Sequence, residues 1–236
     1  MNEDEILLAL VKIGNKWGYI NKNGKRVIEP QFEDAYNFQE GLAPIKLGSQ
    51  WGFIDKSRNI VIKPQFESAG DFTEGLAWIK LGDKYGYIDK NGKIATNPQF
   101  DWAGWFQEGL ARIKLGNKYG YIDKNGKIAI TPQFEWALWF QEGLAPIKLG
   151  GKWGYINKGG NIAIKPQFDF TWGFQEGLAR IKLGGKWGYI DKSGNIAIEP
   201  QFEGAEDFKG GFARINLGNS RWVYMDKRGK MTVNRP

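Results

Sequence analysis

One segment recurs through the whole chain at a constant interval. The tripeptide Pro-Gln-Phe begins every 34 residues, at Pro30, Pro64, Pro98, Pro132, Pro166 and Pro200. A Trp-Gly or Tyr-Gly pair recurs with the same period and begins at Trp17, Trp51, Tyr85, Tyr119, Trp153 and Trp187. A seventh, divergent copy carries Trp222-Val223. Because the period is constant and no linker separates the copies, the sequence predicts a tandem array of seven units.

Each copy has the pattern of an antiparallel meander. In a typical copy, residues 144–149 alternate in character and predict a first strand, and the aromatic-rich residues 153–157 predict a second. Residues 162–164 predict a third strand, which Pro166 is expected to end because proline donates no hydrogen bond to a ladder. Glycines between the segments are typical of hairpin turns. The loop at 167–177 has room for a short fourth strand or a helical turn.

Both faces of the predicted sheet are apolar. On the second strand Gly154 and Ile156 oppose Trp153 and Tyr155, and on the third strand Ile162 and Ile164 are expected to share a face. A sheet with two apolar faces is packed on both sides. The small glycine and alanine residues are expected to let a neighbouring sheet approach closely. Since one small sheet buries too little surface alone, the copies must stack to build a core.

The predicted fold is therefore all-β, a repeat of seven three-stranded antiparallel β-meander units in a single domain spanning 1–236. The approximate units are 6–40, 41–74, 75–108, 109–142, 143–176, 177–210 and 211–236. The terminal copies keep apolar residues where an open stack would need polar caps. We therefore predict a closed seven-bladed β-propeller-like ring, with an open β-solenoid as the alternative.

The unit from Leu178 to Phe202 resembles the bacterial WG (or KWG) repeat, through its Gly-Lys-Trp-Gly-Tyr-Ile-Asp-Lys core and closing Pro-Gln-Phe. The resemblance extends over essentially the whole chain, with departures at Tyr85, Tyr119 and Val223. It implies a repeat scaffold without family catalytic residues or a cofactor. The copies are also closely alike, as expected after recent amplification or consensus design.

Composition excludes much enzyme chemistry. The chain has no Cys and no His, so it has no thiol nucleophile, no thiolate metal site and no imidazole base. The sequence predicts no catalytic residue, metal site or cofactor. The net charge is +7, but the lysines are spread evenly, which does not favour a nucleic-acid partner.

Three loop positions differ between copies within an otherwise constant frame. The central copies carry large aromatic residues there: Trp102, Trp105, Trp136, Trp139, Phe170 and Trp172. Trp78 stands where other copies have proline or arginine. Aromatic patches mark binding sites, and indole faces suit sugar rings, proline-rich peptides or stacked bases. We hypothesise that these seven residues form a ligand- or partner-binding surface; the alternative is that they fill gaps between copies. The repeated Trp17, Trp51, Trp153 and Trp187 are attributed to packing.

Two series of carboxylates recur with the repeat. Glu40, Glu74, Glu108, Glu142 and Glu176 precede Gly-Leu-Ala, and Asp55, Asp89, Asp123, Asp191 and Asp226 precede hairpin turns. Equivalent positions have equivalent environments, whereas a two-carboxylate hydrolase needs contrasting ones. We therefore predict that the glutamates cap backbone amides and that the aspartates shape the turns.

The sequence thus favours a non-enzymatic repeat scaffold or binding module that presents aromatic loops to a glycan, peptide or protein partner. The first alternative is a purely structural protein, natural or designed, without a ligand. The second is a carbohydrate-active enzyme that uses loop carboxylates. The start lacks the basic region of a signal peptide, and no segment is long and apolar enough to span a bilayer. We expect a soluble protein with no membrane association, cytoplasmic by default, and leave its oligomeric state open.

Overall fold

The computed structural model describes residues 7–233, which contain strands and turns but no helix. Those residues therefore include no helix with the length and apolar character needed to cross a bilayer. The strands form seven antiparallel sheets in tandem, each with its strands in chain order. The prediction of an all-β array of seven small sheets is confirmed. Closure of the array into a ring and the single-domain assignment stay predictions.

The first three sheets take their strands as follows. The first comprises β1 (Ala9–Ile13), β2 (Lys16–Ile20) and β3 (Arg26–Phe32). The second comprises β4 (Asp34–Ala35), β5 (Leu42–Leu47), β6 (Gln50–Asp55) and β7 (Ile60–Phe66). The third comprises β8 (Ser68–Ala69), β9 (Leu76–Leu81), β10 (Lys84–Asp89) and β11 (Ile94–Phe100).

The remaining four sheets each have four strands. The fourth comprises β12 (Trp102–Gln107), β13 (Leu110–Leu115), β14 (Lys118–Asp123) and β15 (Ile128–Phe134). The fifth comprises β16 (Trp136–Ala137), β17 (Leu144–Leu149), β18 (Lys152–Asn157) and β19 (Ile162–Phe168). The sixth comprises β20 (Phe170–Thr171), β21 (Leu178–Leu183), β22 (Lys186–Asp191) and β23 (Ile196–Phe202). The seventh comprises β24 (Gly204–Ala205), β25 (Phe212–Asn216), β26 (Trp222–Asp226) and β27 (Met231–Thr232).

An additional first strand lies in the loop after Pro-Gln-Phe in six of the sheets; it has two residues in five of them and six residues in the fourth sheet. The fifth sheet, for example, begins at Trp136 and ends at Phe168, whereas the sequence divided the copies at residue 143. Each sheet thus takes in the loop that the predicted bounds gave to the preceding copy. The chain divides into two compact units, one up to Gly116 with Ile122–Ile128, and the other Asn117–Tyr121 with the residues from Ala129 onward.

The strand predicted as the third of each copy, β19 in the fifth sheet, runs through its proline, so the prediction that Pro166 ends the strand is wrong. β19 pairs with β18 at Ile164 and again at Phe168. A register shift between these pairs leaves Pro166 outside the ladder, where its missing amide hydrogen costs no bond. A second shift separates Ile162, which is 43% exposed, from Ile164, which is 4% exposed, so the two do not share a face as predicted.

The bulged strand explains the glycine of the Trp-Gly pair. A Cβ at Gly154 would lie 2.5 Å from the Ile164 carbonyl oxygen and 2.6 Å from the Pro166 nitrogen. The strand that contains the Pro-Gln-Phe proline would obstruct a Cβ in the same way at Gly18, Gly52, Gly86, Gly120 and Gly188. The glycine therefore makes room for the Pro-Gln-Phe strand of its own sheet, and not for a neighbouring sheet as predicted. In the last copy Val223 holds this position, and β26 pairs with β27 without a register shift.

Consecutive sheets are joined by an aromatic ring on the strand that carries the Trp-Gly or Tyr-Gly pair. Where the ring is a tyrosine, its hydroxyl donates to a carbonyl at the start of the next sheet, as from Tyr87 to Gly104 at 2.7 Å and from Tyr189 to Glu206 at 2.7 Å. The next sheet also places a phenylalanine against the ring. These pairs, with centroids 4.8–5.1 Å apart, are Tyr19–Phe38, Phe53–Phe72, Tyr87–Phe106, Tyr121–Phe140, Tyr155–Phe174 and Tyr189–Phe208. All six strand rings are fully buried.

We expect Gly154→Ala to lower the free energy of unfolding by roughly 1–3 kcal/mol, because its methyl group displaces the bulged backbone. Gly159→Ala is the matched control, since Gly159 is exposed and a Cβ there comes no closer than 3.3 Å to a neighbouring atom. Urea unfolding followed by fluorescence measures both variants. Equal stability of the two would contradict the steric account.

Burial raises the pKa of Tyr87 above its ordinary value of 10.0. The stability contributed by the neutral phenol is present below pH 10 and is lost as the pH rises further, because only the unfolded chain then ionises. We expect Tyr87→Phe to cost about 1–3 kcal/mol at neutral pH, because the Gly104 carbonyl loses its donor, and to lose stability less steeply above pH 10. Phe53→Tyr is the reciprocal variant, and unfolding titrations that show the same alkaline slope for all three proteins would refute the assignment.

Candidate functional site

Three of the predicted binding residues occupy the same place in successive sheets. Trp102, Trp136 and Phe170 each begin the first strand of a sheet and lie opposite a lysine on the second strand of that sheet. These lysines are Lys114, Lys148 and Lys182. An aromatic residue paired across the strands with a lysine therefore recurs at the start of three consecutive sheets.

None of the seven predicted residues is fully buried. Trp105 is 50% exposed and Trp136 is 44% exposed, whereas Trp78, Trp102, Trp139, Phe170 and Trp172 are partly buried. By contrast, Trp51 and Trp153 of the Trp-Gly pairs are only 6% exposed, in keeping with a packing role. The variable aromatic residues thus keep accessible surface, whereas Trp51 and Trp153 of the constant repeat do not.

In the first compact unit two indole rings lie over glycines of the variable loop. A Cβ at Gly70 would fall 2.1 Å from Trp78 Nε1, and one at Gly104 would fall 2.9 Å from Trp102 Cη2. The Arg112 guanidinium group lies 4.6 Å from the Trp102 ring centroid. Gly70 and Gly104 thus leave space that Trp78 and Trp102 of the same sheets occupy. A large residue at one position is therefore accompanied by a small residue at the other.

In the second compact unit the structure brings two predicted residues together with two Trp-Gly tryptophans. The Phe170 ring lies 5.5 Å from Trp172, 5.2 Å from Trp153 and 6.1 Å from Trp187. The Trp136 ring lies 4.9 Å from Tyr119. Trp187, for which the repeat predicts a packing role alone, is partly exposed beside Phe170.

Arg180 fixes this aromatic cluster. Its guanidinium group lies 5.0 Å from the Trp172 ring and 5.7 Å from the Trp187 ring. Arg180 Nε lies 2.8 Å from Asp207 Oδ1, and Nη1 donates to the Ala205 carbonyl at 2.7 Å. Burial raises the pKa of Asp207, and the charge of Arg180 offsets part of that rise. We call Phe170, Trp172, Arg180 and Trp187 the Phe170 cluster. Sequence reasoning did not single out Arg180; its signal was its place across the hairpin from Trp172.

Four of the equivalent glutamates, Glu40, Glu74, Glu142 and Glu176, link one copy to the next. Glu142 accepts the amide hydrogen of Gly177 at 3.1 Å and pairs with Lys192 at 3.0 Å. The same set joins Glu40 with Gly75 and Lys90, Glu74 with Gly109 and Lys124, and Glu176 with Gly211 and Lys227. All five glutamates have φ between 49° and 54°, a strained region for a residue with a side chain. The Gly211 amide and the Lys227 ammonium group lower the pKa of Glu176.

The aspartates before the hairpins bind the turns that follow them. Asp89 accepts the amide hydrogens of Asn91 and Lys93, both at 2.9 Å, and Asp123, Asp191 and Asp226 do the same in their own turns. Within residues 7–233, no three His, Cys, Asp or Glu residues gather closely enough to hold a metal ion. The two carboxylate series therefore have local structural partners.

These features define an all-β tandem-repeat protein with aromatic residues on variable loops. The family model of the WG-containing repeat matches six successive segments, at 17–51, 51–85, 85–119, 119–153, 153–187 and 187–220. The chain therefore belongs to the WG repeat family. No curated protein matches the sequence.

Solved structures with a similar fold are propeller-like proteins. A eukaryotic initiation factor gives a TM-score of 0.59 at 12% identity, with 94% of this chain and 72% of that chain covered. Hsv2p of Kluyveromyces lactis gives a TM-score of 0.54 at 9% identity, with 96% and 93% covered. The dihydro-heme d1 dehydrogenase NirN gives 0.52 at 12% identity, with 95% and 63% covered. At such identities the likeness concerns the fold alone.

Proposed function

We propose that this WG-repeat chain is a non-enzymatic binding module that presents variable aromatic side chains to a glycan, peptide or protein partner. The observation that carries the proposal is the partial or full exposure of all seven variable aromatic residues. Exposed indoles offer an apolar face and an N–H donor, the combination that suits sugar rings and proline-rich peptides. Trp105 in the first compact unit and Trp136 in the second are the most exposed of these residues.

The support beneath these side chains is rigid. Trp136 rests on Tyr119, and the Phe170 cluster is held by Arg180, whose guanidinium group is itself fixed by Asp207 and the Ala205 carbonyl. Aromatic side chains that are already ordered lose little conformational entropy when a partner binds. This pre-organisation favours recognition of a partner by shape.

The carboxylates favour binding over hydrolysis. Glycoside hydrolysis by two carboxyl groups requires one to be protonated and the other ionised, which needs contrasting surroundings. Glu40, Glu74, Glu142 and Glu176 each contact a backbone amide and a lysine, so their surroundings are alike. The alternative of a carbohydrate-active enzyme therefore has no pair of carboxylates suited to the two roles among these four.

We expect Trp105→Ser or Trp136→Ser to weaken binding by about tenfold, which corresponds to a loss of ~1.4 kcal/mol, the scale of one aromatic contact. The probes are soluble polysaccharides in affinity electrophoresis and proline-rich peptides in calorimetry. Thermal unfolding should be nearly unchanged, because both side chains are exposed. Ile162→Ser, which alters a 43% exposed residue of an edge strand, is the matched control.

The purely structural alternative gives a different result. If these tryptophans serve folding, their replacement lowers the unfolding temperature strongly and no probe distinguishes the variants from the parent chain. A panel in which no polysaccharide or peptide binds the parent chain also contradicts the proposal.

A further inference from the structure

One half-buried carboxylate has no partner in the part of the chain that the structure describes. Asp71 lies in the loop after β8, and its Oδ1 atom is buried without a hydrogen bond to any of residues 7–233. Among the same residues no lysine or arginine pairs with this side chain. Burial raises the pKa of the Asp71 carboxyl. A buried carboxylate without a donor is costly, so this one calls for an explanation.

An aspartate occupies the same place in one other copy. Five residues after the phenylalanine of Pro-Gln-Phe the copies carry Asn37, Asp71, Trp105, Trp139, Gly173 and Asp207. The second aspartate has a partner, because Asp207 Oδ1 lies 2.8 Å from Arg180 Nε of the preceding sheet. For Asp71, the residue of the preceding sheet that stands in the place of Arg180 is Pro44, which has no charge. The third sheet thus keeps the acid, while the second sheet lacks the arginine.

The two aromatic rings beside Arg180 have counterparts in the second sheet. The Arg180 guanidinium group lies 5.0 Å from the Trp172 ring and 5.7 Å from the Trp187 ring. By the repeat, Tyr36 takes the place of Trp172, and Trp51 takes that of Trp187. The Tyr36 and Trp51 rings are stacked, with their centroids 5.1 Å apart and an angle of 16° between their planes. The second sheet thus has the aromatic pair without the arginine.

The same backbone contacts place Tyr36 and Trp172. Each donates its amide hydrogen to the residue across the hairpin, Tyr36 to the Pro44 carbonyl at 3.1 Å and Trp172 to the Arg180 carbonyl at 3.3 Å. Each carbonyl accepts the hydroxyl of a buried tyrosine of the preceding sheet, at 2.8 Å and 2.7 Å respectively. The second and sixth sheets therefore hold these two rings in equivalent places.

Asp71 is close to this aromatic pair. Burial raises the pKa of Tyr36, and the negative charges of Asp34 and Asp71 raise it further, so Asp71 lies within electrostatic range of the ring. The next residue, Phe72, packs its ring 4.9 Å from Phe53 of the second sheet. All of these residues belong to the first compact unit. Tyr36 is 44% exposed and Asp71 is partly exposed, so a ligand can reach both side chains.

From this equivalence we propose that the first compact unit binds the guanidinium group of an arginine on a partner protein, at the place that Arg180 fills in the second unit. The Asp71 carboxylate pairs with this group, and the cation lies over the exposed Tyr36 ring. The Ala69 carbonyl accepts a hydrogen bond from it, as the Ala205 carbonyl does from Arg180 at 2.7 Å. Arginine is preferred to lysine, because its planar group can pair with a carboxylate and lie over a ring at the same time.

The probes are two capped tripeptides, acetyl-Gly-Arg-Gly-amide and its counterpart with citrulline, which has nearly the same shape as arginine but no charge. Each is titrated into the full chain and followed by NMR through the amide signals of Tyr36 and Asp71. We expect saturable shifts with the arginine peptide, and binding weaker by about tenfold or more with the citrulline peptide. Asp71→Asn should weaken binding of the arginine peptide by about tenfold, whereas Asp83→Asn, at an exposed aspartate of the same sheet, should not.

A second variant places the arginine within the chain. Pro44→Arg should fold, because Arg112, Arg180 and Arg214 occupy the same place in other copies. We expect the new side chain to fill the site, so that binding of the arginine peptide falls by about tenfold or more and the unfolding temperature rises by roughly 2–4 °C. The rise should be absent when Asp71→Asn is combined with Pro44→Arg, because the new cation then has no carboxylate to pair with.

The proposal is wrong if the arginine peptide gives no saturable shifts or if the citrulline peptide binds equally well. Equal weakening by Asp71→Asn and Asp83→Asn would overturn it too, because attraction would then come from the charge of the surface in general. Tighter binding of free L-arginine than of the arginine peptide would assign the site to the amino acid and not to a partner protein. If Asp71→Asn does not fold, undiminished peptide binding by Pro44→Arg refutes the assignment. These variants leave the seven variable aromatic residues unchanged, so such results would not bear on the proposed function.

Discussion

Burial of one ring by the next copy is the interaction on which this repeat depends. A sheet of three or four short strands cannot bury both of its apolar faces by itself. The aromatic ring on the strand of the Trp-Gly or Tyr-Gly pair lies on a face that another copy has to cover. The phenylalanine of the following copy supplies it, as Phe174 does for Tyr155 at 5.0 Å. The hydroxyl of Tyr155 then reaches the Trp172 carbonyl at 2.7 Å, so the same side chain contributes packing and a directed polar contact. Contacts with the next copy thereby contribute to the stability of each of the first six copies.

The frame of each sheet was predictable because it is built from local signals. Alternation, aromatic strands and glycine turns identified the segments that became β17 and β18. The same local signals did not predict that the strand with Pro166 continues beyond the proline, because the rule that proline ends a strand does not allow for a β-bulge. The glycine at 154 and the proline at 166 occupy facing places in the sheet, and only the register shows that one makes room for the other.

The sequence identified candidate binding residues but not how they are arranged, and their role as a site stays a prediction. Comparison of copies identified Phe170 and Trp172 because these positions vary while the frame does not. Arg180 was not singled out and Trp187 was attributed to packing, because both occupy positions that the repeat explains in other ways. Their contribution depends on the cross-strand register of Arg180 with Tyr189 and of Lys182 with Trp187, which places cations over the indole. Such pairing between strands is seen only once the sheet has been described.

The bulged proline has a consequence for behaviour at high protein concentration. In six of the sheets the bulged proline lies in the last strand, which is an edge strand of its sheet. An edge strand with regular, unpaired backbone amides is a template for pairing with other molecules. A proline and a register shift in the middle of that strand interrupt the row of donors. Every sheet of the array has an edge strand, and in six of the sheets this strand contains a proline that opposes aggregation. The same Pro-Gln-Phe motif that marks the repeat in the sequence thus helps to keep a chain rich in β-structure from joining its neighbours.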